Sequence, residues 1–386
     1  MTDIPQRADI NLANWRAHPF SSYSFQHVSE FVPVAEISSA TQPEAPSPGV
    51  GPLATMDLVD VDGTNLGALD HMRRSFTDHL VVMRDGAVIA EWLSDNANAD
   101  RPHLIFSISK SLTGILAGIA EADGLLEPEA PVARYMPTMR GSTYETAHVR
   151  DLLDMTVDVD FDEEYLDAGG NFDRYRRAML WNPERPDARA ETMEGFLATL
   201  GAMGHGHGRQ FYYASPNTDL LGLVVERATG VRFHRYLADR LWKPMGAKGA
   251  AYVTVDRAGT ARAAGGVCVT TRDLARVGQL VLDGGRGVIP PAWIDDMRCN
   301  GNRQAWVDGN FSDMFVNGRY RSCWYDVGDG RGSFAAVGIH GQWLWCDPTS
   351  SVVIAKTSCR PAPSDDDQTA LEIAMLSQIA KAYETL

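Results

Sequence analysis

The 386-residue sequence predicts a mixed α/β (α+β) fold: both ends of the chain build one sheet-containing domain, and the middle inserts a helical one. Strand signals fall early, in HLVVMRDGAVIAEWL at 79–93, and late, in AVGIHGQWLWCDPTSSVVIAKTS at 336–358. Between about residues 125 and 250, apolar side chains recur near every 3.6 positions. The length fits two domains, or one domain with a large insertion. A cleft between the two parts is the default binding site.

The elements follow in chain order. Residues 1–55 form an irregular leader, rich in Pro, Ser and Ala toward its end, which is expected to wrap the surface or to link. Residues 56–124 and 250–386 make up the α/β domain, and 125–249 the mostly helical insertion. Two apolar runs flank Asp85-Gly86, a hairpin signature. A helix destined for burial starts near Ser107. VRDLLDM (149–155), MEGFLATL (193–200) and the long stretch 217–246 are helical, with Gly230 as a C-cap inside the last. A strand is expected at 211. TTRDLARVGQLVLDGG (270–285) is an N-capped helix stopped by Gly284-Gly285. The late strands turn at Asp347-Pro348-Thr349-Ser350, and a helix closes the chain. There is no internal repeat.

The bulk numbers exclude several functions. A formal charge of −15 argues against nucleic acid or an anionic membrane surface as partner. No stretch approaches the roughly 18 apolar residues of a membrane span. The N-terminus lacks a basic start and an apolar core, so no secretory signal is expected and the cytoplasm is the expected compartment. Cys268, Cys299, Cys323, Cys346 and Cys359 are odd in number and form no CxxC pair, which suits free thiols in a reducing compartment.

Chemistry concentrates in three short motifs. In FSISKSLTG (106–114), Ser107 and Lys110 stand three apart, on one face of a helix. A serine hydroxyl is a weak nucleophile until a base takes its proton. A lysine can be that base once burial lowers its pKa. The helix start adds free N–H groups beside the serine that suit an oxyanion. Ser109 and Ser111 compete as nucleophiles but lack the spacing to Lys110; alternatively, Ser107 is only an N-cap and Lys110 reaches solvent. In FYYASPNTD (211–219), Tyr213 is a candidate proton donor, with Ser215 two residues on. In GIHGQ (338–342), glycines permit close backbone approach, so this segment offers a second oxyanion N–H beside His340. AKTS (355–358) is a rival to it: a turn centred near 348–349 would set Thr357 opposite His340.

Two other segments are weaker. GHGHGR (204–209) pairs two histidines without the Cys, Asp or Glu that a metal set needs. The acidic run at 157–164 lacks the spacing of a calcium loop.

S-x-x-K, Y-x-S and H-G, in this order, resemble the serine β-lactamase and penicillin-binding superfamily. SISKSL, ASPNTDLL, GGVCVTTRDLARVG, LDGG and GIHGQWLWCDP look most like its class C-type branch, which includes carboxylesterases, and within it the 6-aminohexanoate-dimer (nylon oligomer) hydrolases. The resemblance covers roughly residues 65–386. It implies a serine β-lactamase-like fold, an antiparallel sheet flanked by helices. It implies a hydrolase without a cofactor or metal, acting on small ester or amide substrates. Ser107 would carry the acyl group, Lys110 would be its base and Tyr213 the proton donor. The N–H groups of Ser107 and Ile339 would form the oxyanion hole. Tyr165 and Trp181 match aromatic residues that line the substrate pocket, Tyr165 on a closing loop. Ser215, His340 and Gly341 fall beside them. A homodimer is compatible with this picture.

The sequence departs from that family at three places. Arg176 stands where active members hold a substrate ammonium with an acid, and Asp173 is the nearby substitute. Ala264 occurs where a polar side chain is expected. No Lys-Thr-Gly box is in place. An uncharged or anionic ester therefore fits better than a cationic amide. Activity on β-lactams should be weak, although β-lactamase or penicillin-binding activity is the rival enzyme reading. A catalytically silent binding module is the non-enzymatic one.

Overall fold

The computed structural model describes residues 5–40, 42–165 and 169–385. Its centre is a seven-stranded antiparallel sheet made of β1 (Thr77–Arg84), β2 (Ala87–Leu93), β3 (Arg319–Arg321), β4 (Trp324–Asp326), β5 (Phe334–Gly338), β6 (Gln342–Asp347) and β7 (Val352–Ser358). The spatial order is β2-β1-β7-β6-β5-β4-β3, so the early hairpin joins the sheet beside the last strand. Chain ends far apart in sequence thus share one sheet, as the early and late strand signals imply. Arg84 pairs with Ala87. The two turn residues, Asp85 and Gly86, have φ of 51° and 77°, the left-handed pair that a two-residue hairpin turn uses.

Five helices position the site: α1 (Ile108–Ala122), α2 (Asn171–Ala178), α3 (Ser215–Thr229), α4 (Thr271–Leu282) and α5 (Asp366–Ala382). Period-2 alternation in β6 and β7 assigns the faces of the sheet. Leu344, Cys346 and Val353 meet α4, where a side chain at Gly278 would lie 2.6 Å from Val353. Trp343 and Lys356, on the opposite face, both bond Glu372 of α5. The sheet is therefore covered by helices on both sides.

α1 is buried from Ile108 to Ala120. It fits because two glycines let neighbours approach: a Cβ at Gly114 would stand 2.3 Å from the Ser322 carbonyl oxygen, and one at Gly118 2.4 Å from the Trp293 ring. Gly114→Ala should improve intrinsic helix propensity yet lower stability by about 1–3 kcal/mol through overpacking. A drop of a few degrees in Tm by calorimetry is the expected reading; an unchanged Tm would contradict the close packing. Gly230 ends α3 with φ 70°, and Thr270 caps α4 by accepting from the Asp273 N–H, both as expected.

Three expectations need correction. The leader does more than wrap the surface: Trp15, Phe25, Val28, Ile37 and Leu53 are buried in the core. Residues 211–214 form no strand; Phe211, Tyr212 and Tyr213 donate their N–H groups to Ala305, Met155 and the Asn310 side chain. The β6–β7 register pairs Trp343 with Lys356 and Asp347 with Val352, so the turn centre is one residue later than expected. Thr357 consequently does not face His340. His340 instead bonds Arg360, through Nδ1 at 2.6 Å.

Candidate active site

The strained residue Phe106, at φ 45°, precedes Ser107 and turns the chain sharply into α1. Ser107 occupies the N-cap position. One turn later Lys110 is buried, with its Nζ 2.9 Å from each of three oxygens: Ser107 Oγ, Ser215 Oγ and the Ala264 carbonyl. Burial pushes the Lys110 pKa down to about 8, against Glu163, which raises it. Tyr213 lies over the same ammonium, whose Nζ is 4.8 Å from the ring centroid, and its hydroxyl interacts with Ser107. Phe311 stacks on the Tyr213 ring at 4.8 Å. Burial raises the Tyr213 pKa well above its ordinary value.

The competing serines are occupied elsewhere. Ser109 Oγ accepts from the Val267 N–H, and Ser111 Oγ donates to the Cys323 carbonyl.

Two cavities meet at Ser107, Tyr165 and Ile339. The first, about 400 Å³, also reaches Tyr213, Phe311, Tyr325, Gly341 and Trp343. The second, about 500 Å³, reaches Arg16, Glu163, Arg176, Trp181, Arg262 and His340. Ile339 sits in the hairpin between β5 and β6. That hairpin needs its glycines: Gly341 has φ 84°, and a Cβ there would come within 2.9 Å of Glu372. His340, at φ 62°, is buried; desolvation pulls its pKa down to about 3, so the ring is neutral. Lys356, from the rival AKTS segment, lies behind the hairpin, bonded to the Gly341 carbonyl and Glu372.

Tyr165 donates its hydroxyl to Glu163 at 2.8 Å, and its carbonyl accepts from Arg176 at 2.9 Å. Residues 166–168, in the segment expected to close over substrate, lie outside the described residues. Trp181 is buried against Trp15 and Phe106 in the wall of the second cavity. Arg176 faces that cavity with its guanidinium over Phe172, 4.1 Å from the ring centroid. Ala264 corrects an expectation. It is fully buried, and it serves Lys110 through its carbonyl rather than facing substrate. Asp173 is bonded to Arg177, Arg185 and Asn182.

Sequence reasoning missed Glu163, Arg16 and Arg262. Glu163 was accessible from its place two residues before Tyr165. It receives the Ser215 N–H as well as the Tyr165 hydroxyl. Among the described residues, no group of three or more His, Cys, Asp or Glu could hold a metal. His207 bonds Thr146 and the Asp158 N–H, a structural role.

A helix-flanked antiparallel sheet with a serine–lysine pair at the mouth of a buried helix defines the class: a serine hydrolase of the β-lactamase and penicillin-binding superfamily. The chain belongs to the beta-lactamase family, whose model matches residues 67–377. It is 34% identical, over 380 residues, to a 6-aminohexanoate-dimer hydrolase of Paenarthrobacter ureafaciens, a match covering 97% of this chain and 94% of the other. Its fold is similar to a structure from Bacillus anthracis, provisionally described as a 6-aminohexanoate-dimer hydrolase (TM-score 0.88, 21% identity, 99% of each chain). A D-stereospecific amidohydrolase from Streptomyces shares the fold more loosely, with TM-score 0.56 and 18% identity over 79% of this chain and 98% of that one. Among the described residues no helix is long and apolar enough to cross a membrane.

Proposed function

We propose that the protein hydrolyses short esters and small linear amides through an acyl-Ser107 intermediate. The observation that carries this is the Lys110 amine, 2.9 Å from Ser107 Oγ, with its pKa drawn down to about 8. A neutral amine has two N–H donors and one lone pair. The Ala264 carbonyl can only accept, and Ser215 can take the second N–H. The lone pair is then left to receive the Ser107 proton.

In the first half-reaction, Ser107 Oγ attacks the substrate carbonyl carbon and its proton passes to Lys110. The N–H groups of Ser107 and Ile339 hold the resulting oxyanion, aided by the positive end of α1. The carbon–heteroatom bond breaks, and the leaving group departs with a proton delivered through Tyr213. In the second, water attacks the acyl-serine, and its proton returns through Lys110 to Ser107 Oγ as the acid is released. The relative from Paenarthrobacter ureafaciens, named for 6-aminohexanoate-dimer hydrolysis, supports the inclusion of linear amides.

The test is a burst of p-nitrophenol from p-nitrophenyl butyrate, stoichiometric with enzyme, with the acyl mass mapped to Ser107. Labelling of another residue would overturn the assignment. Tyr213→Phe is expected to lower amide kcat about tenfold or more beyond its effect on esters, because an amine leaves poorly without a proton. Equal losses on matched amide and ester substrates would remove the proton-donor role.

A further inference from the structure

The second cavity has a cationic lining. Three guanidinium groups, Arg16, Arg176 and Arg262, line it, and among the described residues Glu163 is the one carboxylate in its lining. Glu163 sits at the Ser107 end, with its oxygens already taken by Tyr165 and the Ser215 N–H. Arg262 is only 6% exposed. Its Nη1 is bound to Asp219 and Tyr175, yet its Nε is buried with no protein acceptor among the described residues. That edge stands beside Gly265, which also lines the cavity; a Cβ there would lie 3.7 Å from Nε. Arg16 likewise buries its Nη1 without a protein acceptor among the described residues, while another nitrogen bonds Asn182. Trp181 separates the two, with Arg262 5.0 Å and Arg16 5.8 Å from its ring centroid. Burial, then Arg176 and Arg262, pushes the Arg16 pKa down, a sign of cations crowded together. Guanidinium groups gathered around one cavity call for a planar, charged acceptor, and a carboxylate matches guanidinium edges in shape and charge.

The two cavities also differ in their place in the reaction. Tyr213, the proton donor to the leaving group, lines the first and not the second. On the acyl-Ser107 reading, this assigns the leaving group to the first cavity and the acyl chain to the second.

Resting on the acyl-Ser107 reading, we propose that the second cavity binds a carboxylate at the far end of the acyl chain, with Arg16, Arg176 and Arg262 as the anion site. The substrates are then monoesters or monoamides of dicarboxylic acids. Water and the monoester give the dicarboxylate, the alcohol and one proton.

The test compares mono-p-nitrophenyl adipate and pimelate with their methyl-capped diesters and with p-nitrophenyl 6-aminohexanoate. The free carboxylate should raise kcat/KM about tenfold or more over the methyl ester, mainly through KM. Arg176→Gln should shrink that ratio toward one, and Arg176→Asp should shift preference to the ammonium-capped ester. Ser107-dependent turnover with a wild-type ratio at or below one would overturn the anion site and leave the hydrolase reading standing. Calorimetry of adipate binding to Ser107→Ala examines the pocket without chemistry. Binding that is lost in Ser107→Ala/Arg176→Asp supports the site even if no ester turns over, in which case the hydrolase reading alone fails; no binding overturns the site.

Discussion

Ser107→Ala is expected to abolish the p-nitrophenol burst and to lower ester kcat/KM by roughly 10³-fold or more, because the attacking oxygen is gone and no neighbour can replace it. Ser109 and Ser111 lie on the same helix, but their hydroxyls are committed to the Val267 N–H and the Cys323 carbonyl. Ser215 touches Lys110, yet it begins the separate helix α3, and its hydroxyl is held as an acceptor of Lys110. The fold should survive the change. Ser107 is half-buried, and Lys110 keeps Ser215 and the Ala264 carbonyl as partners after the hydroxyl is removed. Tm should shift by no more than a few degrees, since one hydrogen bond contributes about 1 kcal/mol. Steady-state turnover within tenfold of wild type, at unchanged Tm, would sink the nucleophile assignment.

The candidate catalytic group was legible because it is local. Ser107 and Lys110 are held by the pitch of one helix, and Tyr213 and Ser215 flank the start of another, so spacing alone carried their relation. The early hairpin was legible for the same reason: Asp85-Gly86 accepts the backbone that its turn demands. What was hidden depends on distant segments. Arg16 comes from the leader, Arg176 from α2, and Arg262 from the loop before the 267–269 strand; no periodicity relates three such positions. The leader itself looked polar and irregular, yet single large side chains, Trp15 and Phe25, anchor it, and isolated anchors leave no periodic signal. The late hairpin was found but misregistered. Shifting its turn centre by one residue moves a cross-strand partner by two, which is enough to separate Thr357 from His340. Residues 211–214 have strand-like composition, but Phe211 and Tyr212 find acceptors in a short helix, at Ala305, and in a turn, at Met155, rather than along a sheet edge.

The pH dependence of kcat/KM on a neutral ester should rise with unit slope below about pH 8 and flatten above it. Lys110 takes the Ser107 proton only when its own amine is neutral, and burial brings its pKa to about 8. At each unit below that value the neutral fraction falls about tenfold, and the rate follows it. The surrounding groups should not produce the same limb. Tyr213, raised well above its ordinary value by burial, stays protonated throughout, and the neutral ester does not titrate. The charges that set the position are Glu163 and Asp219, which favour the ammonium, and Arg262, which opposes it. Glu163→Gln should therefore move the limb to lower pH, because it removes the largest charge holding Lys110 protonated. Lys110→Arg keeps a cation of similar reach but cannot surrender its proton near neutrality. It should cut kcat/KM by roughly 10²–10⁴-fold, the span usually contributed by a general base. A flat profile from pH 6 to 9, together with an active Lys110→Arg protein, would mean that Ser107 loses its proton to another acceptor.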